Sequence, residues 1–208
     1  IVTIEDPIEY VHRDLKSRVS QREVGGDTES FHSALRHVVR QSPDVIVIGE
    51  MRDAETMRVA LSAALSGHLV LASLHTIDAT QTLQRILSYF PAHQREQISL
   101  DLSLCLMGII SQRLVPRRDG SGRVLAAEVL SCTNAVGRLL REQRTDEIDD
   151  LMRTLRSKDM CSFNASLLKL YKDGVIDFDV GRAYSTNPDE FSLLAKGMAT
   201  GSESFRQG

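Results

Sequence analysis

Three short apolar runs each end in a polar or acidic cluster. They are Ile1-Val2-Thr3-Ile4 before Glu5-Asp6, Val45-Ile46-Val47-Ile48 before Gly49-Glu50, and Leu69-Val70-Leu71-Ala72-Ser73-Leu74 before His75-Thr76. Continuous β-branched and aliphatic runs of this length predict buried parallel strands. Pro7 stops the first of them. Between the runs the apolar spacing turns helical. A helix is expected to begin near Thr28, with Phe31, Leu35, Val38 and Val39 on one face, and to break at Ser42-Pro43-Asp44. A second helix is expected from Asp53, a good N-cap, to Ser66, with Met57, Ala60, Leu61 and Ala64 inward and Gly67 ending it. After the third strand, helices are predicted from Asp78 or Ala79 to Tyr89 and from His93 to Leu114, the latter carrying Ile98, Leu102, Leu106 and Ile109. Strands alternating with helices in this way describe a parallel sheet with right-handed crossovers. Residues 11–30 are polar and contain Gly25-Gly26, which reads as a long surface loop with room for a hairpin.

Asp119-Gly120-Ser121-Gly122 is a tight turn, and 123–130 looks like one more strand. Beyond Thr133 the pattern becomes short amphipathic helices near 133–142, 146–156, 163–173, 179–185 and 189–197. The expected organisation is an α/β core over 1–130, a small C-terminal helical subdomain over 131–200, and a flexible Gly- and Ser-rich tail at 201–208.

Composition narrows the class. With 208 residues, 42% hydrophobic and 25% charged, the chain can bury a real core and is not of the disordered type. Its net charge of -3 gives no electrostatic reason to expect nucleic acid or an anionic membrane surface as a partner. No apolar run approaches the roughly 20 residues of a membrane-spanning helix. Cys105, Cys132 and Cys161 are scattered and form no CxxC, so we expect buried structural thiols in a reducing compartment and no metal cluster. The chain opens inside a strand and without Met, so its true N-terminus is expected to lie further upstream.

In open α/β sheets, ligands bind beyond the carboxyl ends of the strands. Acids and a histidine delivered there suggest a nucleotide–magnesium site. Glu50, after an apolar strand, suits water-mediated magnesium contact or activation of a water. Glu5, Asp6 and Glu9 form an acidic cluster at a neighbouring strand end, which needs a cation or arginines among its members unless it is simply a solvated turn. Arg22, Arg36 and Arg40 are the nearby cations; Arg36 and Arg40 are four apart, and their planar forks suit phosphate oxygens if they are not ordinary surface charges. Arg52-Asp53 is read as an anchor for the next helix. A metallohydrolase built on Glu5, Asp6, His68 and His75 is a separate function class, but no third ligand has helpful spacing. There is no G-x-x-x-x-G-K-[ST] phosphate cradle. The residues alone therefore define an α/β domain with a polar edge.

Taken together, the three segments resemble a known family. Ile4-Glu5-Asp6-Pro7-Ile8-Glu9 is similar to the Asp box of secretion-superfamily hexameric ATPases (GspE/PulE-like). Ser42-Pro43-Asp44, continuing through Val45 to Asp53, resembles their degenerate Walker B motif, and residues 66–76 resemble their His box. Gln21-Arg22-Glu23-Val24 and Met51-Arg52-Asp53 look like the PilT/PilU branch, the type IV pilus retraction motors. So does the run of Gln112-Arg113-Leu114 into Val115-Pro116 with no zinc-binding cysteine insert. Asp27-Thr28-Glu29-Ser30-Phe31, Asp101-Leu102-Ser103-Leu104 and residues 111–117 look closer to PilU than to PilT. Residues 135–142 are similar to an element that retraction motors need.

The resemblance implies a RecA-like P-loop NTPase core, N-terminally truncated, followed by a helical subdomain. It implies ATP and Mg2+ as cofactors and pilus retraction in twitching motility as the activity. By resemblance, Glu9 polarises the attacking water, Glu50 positions magnesium through a water, and His75 contacts or senses the γ-phosphate. Glu9 joins Glu50 on the metal side, Glu5 and Asp6 belong to the nucleotide site, and Arg36, Arg40 and Arg22 approach the phosphates. The implied partners are further copies in a homo-hexamer, or a mixed ring with another retraction ATPase, and an inner-membrane pilus platform protein. The implied place is cytoplasmic, at the cytoplasmic face of the inner membrane. Family members carry their P-loop upstream of the Asp box, so this chain by itself is expected to be nearly inactive. A catalytically inactive interaction module in hetero-hexamers is the alternative reading.

Overall fold

Four parallel strands lie side by side: β1 (Val2–Glu5), β2 (Ser20–Glu23), β3 (Val45–Ile48) and β4 (Leu69–Ala72), in the order β2-β1-β3-β4. This computed structural model describes residues 1–154 and 159–198. The tail expected at 201–208 and the end of the helical segment near 146–156 lie outside the described residues. Contacts divide the chain into two compact units. The first comprises Ile1–His75 and Gln84–Leu106; the second comprises Thr76–Leu83 and the chain from Met107 onward.

In the first unit, Val2 pairs with both Ser20 and Ile46, and Val45 pairs with Leu69, so β1, β3 and β4 share one direction and one register. Ile4, Ile46 and Ile48 are fully buried on one face. Helices α1 (Phe31–Val38) and α2 (Ala54–Leu65) pack there, burying Leu35, Val38, Met57 and Ala60. Helix α1 starts at Phe31, three residues after the expected start near Thr28, because the Ser30 hydroxyl accepts the Ser33 N–H and caps it. Asp53 caps α2 as expected, accepting the Thr56 N–H at 2.7 Å, and Gly67 follows the last turn with φ +101°.

Several expectations for this unit are corrected. The 11–30 segment contains no hairpin; its strand β2 joins the sheet edge parallel to β1. Among the described residues strand β4 is not buried on both faces: Leu69 and Leu71 are exposed, because β4 ends the sheet order of these residues and their helices cover only the opposite face. Arg36 and Arg40 do not share an α-helical face, since α1 ends at Val38 and Arg40 falls in a 3₁₀ turn at Val39–Gln41.

The helix expected over 93–114 is also shorter. After α3 (Ala79–Ser88), helix α4 (Ala92–Cys105) buries Ile98 and Leu102, then Leu106 turns extended at φ -68°, ψ 121°. Strand β5 (Gly108–Pro116) follows, in the second unit, paired antiparallel with β6 (Arg123–Ser131). Apolar spacing let Leu106 and Ile109 extend the helical pattern; pairing with β6 decides otherwise. Gly108 lies so close to that strand that a Cβ there would meet the Leu130 carbonyl oxygen at 2.9 Å.

The second unit also contains α5 (Asn134–Arg141), α6 (Ile148–Thr154), α7 (Phe163–Lys172), α8 (Phe178–Tyr184) and α9 (Pro188–Ala195). The sequence places a division at residue 130, whereas contacts group β5 and β6 with these helices. The reason is a shared core: Val115 and Ala126 of the hairpin pack with Phe163, Leu167, Ile176 and Phe191. Burying each of these side chains other than Ala126 contributes on the order of 1.5–3 kcal/mol. Arg113 lays its guanidinium 3.9 Å over the Phe163 ring and donates to the carbonyls of Tyr184 and Ile77. Among the described residues the three cysteines form no disulfide and are only half-buried, less enclosed than expected; burial still raises the Cys132 and Cys161 thiols above their usual range.

Candidate functional site

The parallel register brings the carboxyl ends of β1, β3 and β4 to one edge. Beyond β3, the chain continues through Gly49 to Glu50. The Gly49 N–H donates to the Ile4 carbonyl at 2.8 Å, and a Cβ at Gly49 would lie 3.1 Å from that oxygen and 3.3 Å from Glu5 Cα. A side chain there would push β1 and β3 apart by a few tenths of an ångström where the carboxylate emerges. Beyond β4, the Ser73 N–H donates to Ile48 O, and the Ser73 carbonyl accepts the Met51 N–H at 3.0 Å. The Ser73 hydroxyl donates to Gly49 O. These bonds lock the two strand ends together and carry His75 to Glu50.

Glu50 is the centre of the arrangement. Its Oε1 lies 3.0 Å from His75 Nε2, and its Oε2 lies 2.6 Å from an Arg52 guanidinium nitrogen. The same guanidinium reaches Asp6 Oδ2 at 4.0 Å. Glu50 is well shielded, at 17% side-chain exposure, while Arg52 at 61% and His75 at 83% face solvent. The hydrogen bond from Arg52 holds the Glu50 carboxyl below the usual carboxylate range; burial opposes this, and the charges of Arg52 and His75 add to the lowering. Arg52 is raised in turn, chiefly by its hydrogen bond to Glu50.

Of the residues singled out from the sequence, Asp6, Glu50 and His75 are thus brought together, with Arg52 as the connecting cation. Arg52 is more than the helix anchor it was expected to be. Its signal is its place between Glu50 and the α2 cap at Asp53, where the backbone is already fixed. Glu5 instead turns along β1, accepting from the Thr3 hydroxyl at 2.5 Å and the Gln21 amide at 2.9 Å. Glu9 is exposed on the loop after β1, held only through neighbours: Ile8 N–H donates to Glu23 Oε2, and Gln21 donates to Tyr10 O. Arg22, Arg36 and Arg40 form no ion pair with an acid among the described residues. His68 sits 3.0 Å from Ala63 O and 3.2 Å from the Ser66 hydroxyl, which places it at the end of α2.

Among the described residues no three His, Cys, Asp or Glu side chains converge as a metal cage. Magnesium does not need one, because it keeps several waters and takes one or two carboxylates together with phosphate oxygens. The edge fits such an ion: a guanidinium already stands between Glu50 and Asp6 as a cation. Shielded Glu50 can hold a water or a hydrated cation, and exposed His75 can donate to an anionic oxygen.

Acids, a guanidinium and an imidazole thus gather at the carboxyl edge of a parallel α/β sheet, where such folds bind their ligands. The model of the "Type II/IV secretion system protein" family matches residues 1–174. The chain is 44% identical over 204 residues to the type IV pilus ATPase PilU of Pseudomonas aeruginosa, covering 98% of this chain and 53% of that protein. It is 41% identical over 191 residues to the type IV pilus retraction ATPase PilT of the same organism, covering 92% of this chain and 55% of that protein. The crystal structure of the pilus retraction motor PilT with bound ADP superposes with a TM-score of 0.83 at 49% identity, over 91% of this chain and 53% of that one. The chain belongs to the type II/IV secretion system protein family, in the branch of the PilT and PilU ATPases. It spans about half the length of these relatives.

Proposed function

We propose that this chain supplies the carboxylate and imidazole side of an ATP-hydrolysing site in a hexameric motor that drives type IV pilus retraction. The observation that carries the proposal is Glu50, paired with His75 at 3.0 Å on the carboxyl edge of a parallel sheet. The relatives named as pilus ATPases support it.

In this reading Glu50, shielded and ionised, orients a water of the Mg2+ shell. Bound magnesium would neutralise phosphate charge as it develops. His75, exposed beside Glu50, donates to the γ-phosphate. Glu9 takes the role of polarising the attacking water, which requires its loop to turn towards the strand ends. Arg36, Arg40 and Arg22, unpaired with acids here, remain available for phosphate oxygens, and Asp6 and Glu5 complete the acidic edge. The partners would be further subunits of a ring, alone or mixed with another retraction ATPase, and the pilus platform protein. The place would be the cytoplasmic face of the inner membrane. No helix among the described residues is long and apolar enough to cross a membrane.

Replacing Glu50 by Gln in the cell should abolish twitching while the protein still accumulates. Normal twitching with that substitution overturns the proposal. A second reading rests on the lack of a G-x-x-x-x-G-K-[ST] segment in these 208 residues. In it the chain hydrolyses little ATP by itself and acts as an interaction module within mixed rings. Native mass spectrometry of the chain with an intact motor decides: mixed hexamers support this reading, and no association removes it.

A further inference from the structure

Both oxygens of the Glu50 carboxylate have partners within the protein. One oxygen meets His75 and the other meets Arg52, whose guanidinium also faces Asp6. Two carboxylates near one point repel unless a cation stands between them. Arg52 is that cation, tethered two residues beyond Glu50. Its backbone has little freedom, because Met51 donates to Ser73 O and Asp53 caps α2. Its side chain is free to leave, being mostly exposed.

We infer that Arg52 is a built-in counter-ion that takes the place, between Glu50 and Asp6, of the water through which Glu50 would reach magnesium, and that it must swing out before the hydrated metal enters. The inference rests on the proposed role of Glu50 at a magnesium–nucleotide site. Its consequence is selectivity for the metal–nucleotide complex over the free metal. A lone divalent ion meets a pair of carboxylates already neutralised by a guanidinium, and gains little. A metal arriving with phosphates brings oxygens that can take over the displaced guanidinium, so Arg52 moves from one set of anions to another. Arg52 is thus a positioning residue: it acts through Glu50 and Asp6.

Manganese, followed by the loss of its free-ion paramagnetic resonance signal, is a direct probe of the metal position without nucleotide. The chain is compared with Arg52→Ala, Arg52→Lys, Glu50→Gln and the Arg52→Ala/Glu50→Gln pair, each checked for its circular dichroism spectrum. Arg52→Ala should bind Mn2+ up to about fivefold more tightly, the order expected when the ion no longer has to break an exposed ion pair. Arg52→Lys should stay near the parent, and adding Glu50→Gln should cancel the gain. Equal Mn2+ affinity of the parent and Arg52→Ala, with Glu50→Gln weaker than both, overturns the counter-ion while leaving Glu50 as a metal residue. Mn2+ binding that is absent from every protein, or indifferent to Glu50→Gln, overturns both the inference and the magnesium role beneath it.

Discussion

His75 Nε2 stands 3.0 Å from Glu50 Oε1, although 25 residues separate the two in the chain. The contact exists because β3 and β4 are adjacent and parallel, and Ser73 fastens their ends. Both partners of Glu50 are mostly exposed, and exposed ion pairs contribute little to stability. Glu50→Gln should therefore lower folding stability by less than about 1 kcal/mol. Its effect should fall on metal–nucleotide binding instead. Thermal unfolding beside Mg-ATP titration separates the two; a large loss of stability with binding intact contradicts the functional reading of this residue.

Gly49 sets the distance from which Glu50 emerges. Gly49→Val would press a branched side chain against Ile4 O and Glu5 Cα, 3.1 and 3.3 Å from where its Cβ must sit. The expected cost is about 1–3 kcal/mol, as for other forced overpacking. The contact between Glu50 and His75 should loosen as β1 and β3 part. Urea unfolding and the histidine ring resonances report the two effects.

Asp53 caps α2 with two hydrogen bonds to Thr56, at 2.7 Å to its N–H and 2.9 Å to its hydroxyl. Asp53→Ala should cost roughly 1 kcal/mol, the usual value for losing such a cap. Asp53→Asn should recover most of it, since an amide oxygen also accepts. Chemical denaturation of the two variants checks this, and equal losses would show that charge rather than capping matters.

Glu128 gives the second unit a pH dependence. It is 5% exposed and accepts the Ala79 N–H at 2.8 Å and the Phe163 N–H, and burial raises its carboxyl above the usual range. A raised carboxyl binds its proton more tightly in the folded state. Its favourable contribution is thus fully present below the unfolded value of about 4.3 and is lost as pH rises through the folded value. Glu128→Gln should flatten that part of the stability curve and keep an acceptor for both N–H groups. Glu128→Ala should cost about 1–3 kcal/mol per stranded donor. Denaturation curves from pH 4 to 8 measure the difference; an unchanged pH profile in Glu128→Gln contradicts it.

Much of this arrangement is legible in the chain because local chemistry wrote it. The strands at Val45–Ile48 and Leu69–Ala72, the cap at Asp53, and the helices after Thr133 follow from apolar period and capping alone. The ordered segments around Glu5, Glu50 and His75 carry the family resemblance, and the relatives bear that out. The sequence also presents Asp6, Glu50 and His75 as candidates for one edge.

Other features were decided by pairing between distant segments, which no local pattern encodes. Residues 108–116 have apolar spacing that suits a helix, yet they form β5 because β6 offers nine paired positions from Ser131 to Arg123. Segment Ser20–Glu23 is polar in sequence and becomes a strand because the edge of β1 is open to it. Leu69 and Leu71 read as buried, but burial depends on which faces helices cover, and here one face is left bare. The partner of Glu50 follows the same logic. Arg52 reaches Glu50 locally, from two residues along the chain, but only the register of β3 and β4 brings His75, 25 residues away, to its other oxygen. Residue identity supplies the charges; the distances that turn charges into a site come from tertiary packing.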